Sequence, residues 1–227
     1  MSVRRSRIVL VAGAALGIAT LGGSLAGAAG PSGGACQLQG VASISPPLTN
    51  TSGNFAYSFT GDLGSCQSNV AGAPTAGTVS AGIQIPETVT LNSTTGTTTT
   101  GTVLYQEPIP QGSGSCGSST TSGEALAAWG DGKNTIVSYT TTGAAAAVNL
   151  QGTIVASMTL TLVASSVPAG YTAPSTYTIN SDEPTFAVGQ QSTAALTFSP
   201  TTSDQNCVTV GVSSANIDGA VGIGSAS

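Results

Sequence analysis

The sequence contains no histidine, and this absence excludes several classes of chemistry. Catalytic triads and Cys-His dyads use an imidazole as their base, and imidazole is also the commonest side-chain ligand of transition metals. The four cysteines include no Cys-x-x-Cys pair, which argues against a zinc site or a thiol redox site. We therefore predict that the protein is not an enzyme and that it holds no metal and no cofactor.

Charged residues are also scarce, at 6% of the chain against about 25% in a typical globular protein. Three of the four basic residues are Arg4, Arg5 and Arg7. Residues 29–227 therefore carry one cation, Lys133, against nine acids, a net charge of −8. Nucleic acids and anionic membrane surfaces bind clusters of Lys and Arg, so neither is a predicted partner.

The N-terminus has the pattern of a secretory signal peptide. The three arginines precede an apolar run at positions 8–20, and Ala26-Gly27-Ala28 matches a cleavage signal. The alternative is a retained membrane anchor, but Gly, Ser and Ala make the second half of the segment too weakly hydrophobic for a good spanning helix. We predict a signal peptide at 1–28, a flexible lead at 29–35 and one domain at 36–227, without a membrane span after cleavage. The expected location is extracellular or associated with the cell envelope.

The four cysteines, Cys36, Cys66, Cys116 and Cys207, predict two disulfides in an exported chain. Three pairings are open, and we favour Cys36–Cys66 with Cys116–Cys207, because strands flanking a turn near residue 51 would bring the first two together. The apolar face is even-numbered on the first strand and odd-numbered on the second, so this pairing needs a bulge near Gly61 or Gly64. The rival pairing is Cys66–Cys116 with Cys36–Cys207.

The clearest pattern in the chain is VNLQGTIVASMTLTL at positions 148–162. Its even positions are apolar or glycine, and among the odd positions only Val155 is apolar. A period of two indicates a β-strand with one face in a core. Fifteen residues exceed the usual strand length, so we predict a bend, a bulge or a division into two strands at Gly152.

Similar short alternating segments recur between turns along the rest of the chain, and none has a helical period after the signal segment. About ten strands are expected, including a hairpin at the Asp-Gly turn 130–134. The predicted fold is therefore all-β: a single β-sandwich, immunoglobulin-like or jelly-roll-like, after an N-terminal signal helix.

Few residues are candidates for a functional site. Trp129, the only tryptophan, precedes a tight turn, where it could stack on a sugar ring, although we favour a place in the core. Asp131, Asp182 and Glu183 lie in predicted loops and are the candidate carboxylates for a glycosidase that works without histidine. Lys133 lies in a predicted turn, where a solvated ammonium is the expected state.

Four segments resemble a group of small secreted β-rich proteins of actinomycete-type bacteria. They are CQLQGVASISPPL, FAYSFTGDLGSCQS, AAWGDGKNTIVSYTTTGAAAAVNLQGTI and CVTVGVSSANIDGAVGIG. The resemblance implies export and a β-sandwich, and no catalytic residues come with it. We therefore expect a non-catalytic protein with a structural, adhesion or binding role, whose partner would be a glycan or a cell-surface protein. The alternatives are a carbohydrate-binding module using Trp129 and a two-carboxylate glycosidase.

The signal-peptide pattern gives the first testable prediction. N-terminal sequencing of protein from the culture medium should start at or near Ala29, because cleavage follows the Ala26-Gly27-Ala28 signal. An intact Met1 terminus recovered from the membrane fraction would contradict it.

Overall fold

The computed structural model of the protein describes residues 33–225. The predicted signal peptide and positions 29–32 of the predicted lead lie outside these residues. Within them the chain forms fourteen strands and one short 3₁₀ turn at Ala164–Ser166. The strands are β1 (Gly34–Leu48), β2 (Gly53–Ser68), β3 (Gly77–Ala81), β4 (Gln84–Ser93), β5 (Thr98–Gln106), β6 (Gln111–Gly114), β7 (Ser118–Trp129), β8 (Asn134–Ala144), β9 (Ala147–Val155), β10 (Ser157–Leu162), β11 (Tyr171–Thr172), β12 (Thr176–Asn180), β13 (Gln191–Pro200) and β14 (Val212–Ser225).

Eight strands close into an antiparallel barrel in the order β1-β14-β13-β9-β8-β7-β3-β2. Closure follows from β1, which pairs with β14 on one side and with β2 on the other. The chain is thus all-β, but the predicted sandwich of two open sheets is wrong. Alternation predicts that one face of each strand is buried, and a sheet that curls onto itself meets that requirement as well as a second sheet does.

In the wall of the barrel, which is its closed sheet, two short strands lie side by side with both β2 and β7 and occupy the single position between them. β3 fills one half of this position and β6 fills the other, and between them the chain leaves the wall to form β4 and β5. The chain leaves a second time between β9 and β13 to form β10 and β12. These excursions make a five-stranded sheet in the order β11-β4-β5-β10-β12. The sheet packs on the outer face of the barrel, where it covers Leu126 and Ile136.

The stretch at 148–162 contributes to both of these cores. In β9, Val148, Leu150 and Ile154 point into the barrel, whereas in β10 Met158 and Leu160 pack under the five-stranded sheet. Val155 faces away from the barrel axis and packs against that second core, which explains why it is the one apolar residue at an odd position.

The predicted break at Gly152 is displaced. The strand continues through Gly152, where a Cβ atom would lie 2.6 Å from the side chain of Val137, so the missing side chain makes room for a neighbour. The division occurs instead at Ala156, between β9 and β10.

The favoured disulfide pairing is present: Cys36–Cys66 and Cys116–Cys207. A bulge in β2 makes the first bridge possible, because Ala35 pairs with Gln67 while Gln37 pairs with Gly64. Ser65, next to the predicted Gly64, takes up the extra residue with a positive φ of 50°. The bulge turns the even-numbered Cys66 toward the same face as the odd-numbered apolar residues of β2.

Among residues 33–225, no helix is long and apolar enough to cross a membrane.

The two faces of β10 give a direct test of this packing. Leu160 is fully buried, so Leu160→Asp should lower the free energy of unfolding by at least ~3 kcal/mol, through lost packing and an unpaired buried charge. The neighbouring Thr159 is exposed, and Thr159→Asp should change it by less than about 0.5 kcal/mol. Urea unfolding of both variants makes the measurement, and equal losses would contradict the assignment of faces.

Candidate functional site

The interior of the barrel is lined by alternate residues of its strands. The residues that point toward the axis are even-numbered on β1, β9 and β13. They are odd-numbered on β2, β7, β8 and β14. An eight-stranded barrel has an interior just wide enough for side chains to fill. Whether this interior is solid or hollow therefore depends on the size of the inward side chains.

Several of these side chains are small, and they leave a cavity of about 170 Å³. Five alanines contribute to its lining: Ala42, Ala81, Ala125, Ala127 and Ala194. Larger apolar residues such as Phe59, Val137 and Leu150 complete the wall. Among the described residues, no charged side chain lines the cavity. Its surface is apolar except for hydroxyls: a group on β2, β7 and β8, and Ser192 on β13, whose Oγ donates to Gly222 O.

Four hydroxyls form one connected cluster inside the barrel, which we call the hydroxyl cluster: Tyr57, Thr121, Tyr139 and Thr141. Tyr57 Oη lies 2.6 Å from Tyr139 Oη and 3.1 Å from Thr121 Oγ1. Thr121 Oγ1 in turn lies 2.7 Å from Thr141 Oγ1. The four groups come from β2, β7 and β8, and the closed wall brings them together.

The hydroxyl cluster has unused hydrogen-bonding capacity. Four hydroxyls carry four protons and eight lone pairs, and three mutual contacts use three of each. One proton and several lone pairs therefore remain for another molecule. Burial raises the pKa of Tyr57 and of Tyr139, and the neighbouring Tyr57 hydroxyl and Glu107 carboxyl add to the effect on Tyr139. Both tyrosines consequently stay protonated and neutral at physiological pH.

One end of the barrel is closed by aromatic side chains. Trp129 is only 4% exposed, donates a hydrogen bond from Nε1 to Thr135 Oγ1 at 2.9 Å and packs against the ring of Phe186. This is the core position favoured from the sequence. Because so little of its side chain is exposed, Trp129 has no free surface for stacking on a sugar.

The segment that carries Phe186 is held in place by acidic residues. Lys133 Nζ lies 3.0 Å from Asp131 Oδ2 and 3.6 Å from Glu183 Oε2, while Asp182 Oδ1 accepts a hydrogen bond from the backbone N–H of Asn134 at 2.7 Å. The hydrogen bond to Lys133 lowers the pKa of Asp131, and the same contact raises that of Lys133. Two of the three candidate carboxylates, Asp131 and Glu183, meet at Lys133, whereas Asp182 holds the backbone of Asn134.

The opposite end is fastened by the second disulfide. Cys207, in the loop before β14, is bonded to Cys116 after β6, and backbone hydrogen bonds join both residues to the β1–β2 turn. Four inward-facing residues at this end are half buried, namely Ser119, Thr141, Val148 and Phe198, whereas Ile44, Leu48 and Phe55 are buried.

No family model, no curated protein and no solved structure matches this chain. The two disulfides suggest an oxidising, extracellular environment.

The hydroxyl cluster was not predicted from the sequence. The signal that marks it is a set of hydroxyl-bearing residues on inward rows: Tyr57 between Phe55 and Phe59, and Tyr139 and Thr141 after Val137. Only the closed barrel shows that these rows face one another.

Glu107 is a buried acid next to this site. It is 1% exposed and holds the point where the chain re-enters the wall: Oε1 accepts from Ser80 Oγ at 2.5 Å, and Oε2 accepts from the N–H of Ile83 at 3.0 Å. Burial raises its pKa despite these bonds. The folded protein therefore binds more protons than the unfolded chain between the ordinary and the raised pKa, so Glu107 makes stability fall as the pH rises through that interval.

Replacing this carboxyl should alter the pH dependence of stability. Glu107→Gln removes the titration but keeps an oxygen for the Ile83 N–H and a polar group for Ser80. We expect the Tm of the variant, relative to wild type, to rise as the pH increases from about 4.5 to about 8. Thermal unfolding followed by circular dichroism makes the measurement. A Tm difference that is constant with pH would contradict the prediction.

Proposed function

We propose that this protein is a non-catalytic, exported binding protein of the extracellular space or the cell envelope, and that it holds a small apolar molecule inside its barrel. The observation that carries the proposal is the uncharged cavity of about 170 Å³ in a closed wall. An apolar cavity of about 150 Å³ is large enough to bind benzene.

The energetic cost of the cavity supports a binding role. At about 24 cal/mol per Å³, an empty space of 170 Å³ costs roughly 4 kcal/mol of stability. Protein interiors are close-packed, and one larger side chain at any of several inward alanines would remove much of the space. A ligand that fills the cavity stabilises the fold by its own packing and offsets this cost.

The other hypotheses have less support from the residues. The carbohydrate-binding alternative depends on Trp129, whose ring is covered by Phe186 and hydrogen-bonded to Thr135. The glycosidase alternative depends on Asp131, Asp182 and Glu183, which serve as partners of Lys133 and of backbone N–H groups. Export is supported by the signal-peptide pattern and by the two disulfides.

Fluorobenzene is a suitable probe, because it matches the size and the apolar character of the cavity. Titration of the purified mature protein, followed by ¹⁹F NMR, should show saturable binding. Ala194→Leu should abolish it by filling the cavity, whereas Ala195→Leu, on the outer face of the same strand, should not. If Ala194→Leu does not fold, the smaller Ala194→Val should weaken binding. Absence of saturable binding to the wild type would refute the proposal.

A further inference from the structure

We infer that the molecule held in the barrel is a small, neutral compound with one hydroxyl group on a single apolar ring, and that Tyr139 of the hydroxyl cluster is its main hydrogen-bonding partner. The inference rests on the proposed function and specifies its ligand. Three features of the cavity support it: its volume, its unused hydrogen-bonding capacity and its lack of charge.

The volume limits the ligand to a single ring. The cavity, at about 170 Å³, is only slightly larger than an apolar cavity of about 150 Å³ that binds benzene. A substituted benzene or an alicyclic ring of similar size fills it. Fatty acids and sterols are too long to fit within this space.

The hydroxyl cluster favours a ligand that can both donate and accept a hydrogen bond. Tyr139 and Thr141 are the two ends of the chain of hydroxyls, so each has only one partner within the cluster. Tyr139 is buried, while Thr141 is half buried near the end of the barrel. A ligand hydroxyl beside Tyr139 would use the spare proton and a free lone pair while its ring occupies the apolar part of the cavity.

Both anionic and cationic ligands are disfavoured. An anion would need a cation or several hydrogen-bond donors. The one cation of the described chain, Lys133, is paired with Asp131 and Glu183 at the aromatic end of the barrel. A cation would need a carboxylate. Glu107 is close enough to raise the pKa of Tyr139, but both of its oxygens accept hydrogen bonds from Ser80 and Ile83. Burying either ion without a partner is strongly unfavourable.

Four probes of matched shape test the inference: toluene, 4-methylphenol, benzoate and benzylammonium. Each is titrated into the mature protein in competition with fluorobenzene. We expect 4-methylphenol to bind about fivefold more tightly than toluene, because one net hydrogen bond is gained. Benzoate and benzylammonium should not compete.

Variants connect this preference to the cluster. Tyr139→Phe should reduce the ratio of the 4-methylphenol affinity to the toluene affinity at least fivefold, because it removes one end of the cluster without changing the ring. If this variant does not fold, a nuclear Overhauser contact between bound 4-methylphenol and the Tyr139 ring of the wild type provides the test. Tyr105→Phe is the matched control: Tyr105 is also buried and donates to Pro174 O, but it lies in the second core, so the ratio should not change.

The outcomes separate the two proposals. If fluorobenzene and toluene fail to bind, the proposed function is wrong. If toluene and 4-methylphenol bind equally well, or if benzoate competes, the barrel remains a binding site but the ligand class inferred here is wrong. An unchanged affinity ratio in Tyr139→Phe, or absence of a contact between 4-methylphenol and the Tyr139 ring, would overturn the role of Tyr139.

Discussion

The structure depends on the pairing of β1 with two partners at once. Its residues from Gly34 to Ser43 pair with β14, and nearly the same residues pair with β2. This double pairing joins the first and last strands of the sheet, so the eight-stranded wall has no open edge. Unpaired edges are the sites at which sheets aggregate, and closure removes them. Because the chain has so few charges to protect an edge, closure is also the means of protection that its composition allows.

Closure then makes side-chain size the variable that determines the interior. The wall fixes the available volume, and each inward position either fills its share or leaves it empty. Inward glycines at 40 and 61 give their space to the ring of Phe59, which a Cβ atom at either position would approach to within 3.0 Å. The inward alanines have no such neighbour that fills their space completely, and the cavity is the result. Small inward residues thus leave space with two outcomes: at the glycines an aromatic ring occupies it, and at the alanines part of it stays empty.

The sequence was sufficient for the local structure and insufficient for the way the sheet closes. Alternation in VNLQGTIVASMTLTL correctly identified a strand and the buried face of its residues, and parity at Cys36 and Cys66 correctly required a bulge next to Gly64. Neither signal contains information about which non-adjacent strands pair, so a sandwich and a barrel predict the same alternation. The possible division was placed at Gly152 rather than Ala156 for the same reason: the even-numbered face stays buried across Ala156, but it is buried in two different cores. The hydroxyl cluster is a product of closure, and no pattern within one strand reveals it.

The two disulfides offset the loss of stability that the cavity causes. A well-packed barrel of this size would derive stability from a filled core, whereas a cavity of about 170 Å³ gives up roughly 4 kcal/mol of it. In the chain-entropy model a disulfide stabilises the fold by restricting the unfolded chain, by ~3.6 kcal/mol for the separation of 30 residues and ~4.6 kcal/mol for that of 91. That contribution does not require contacts between inward side chains. Cys36–Cys66 lies near the aromatic end of the barrel and Cys116–Cys207 fastens the other end, and neither bridge lines the cavity. Stability that comes from the bridges leaves the middle of the barrel free to hold something other than its own side chains.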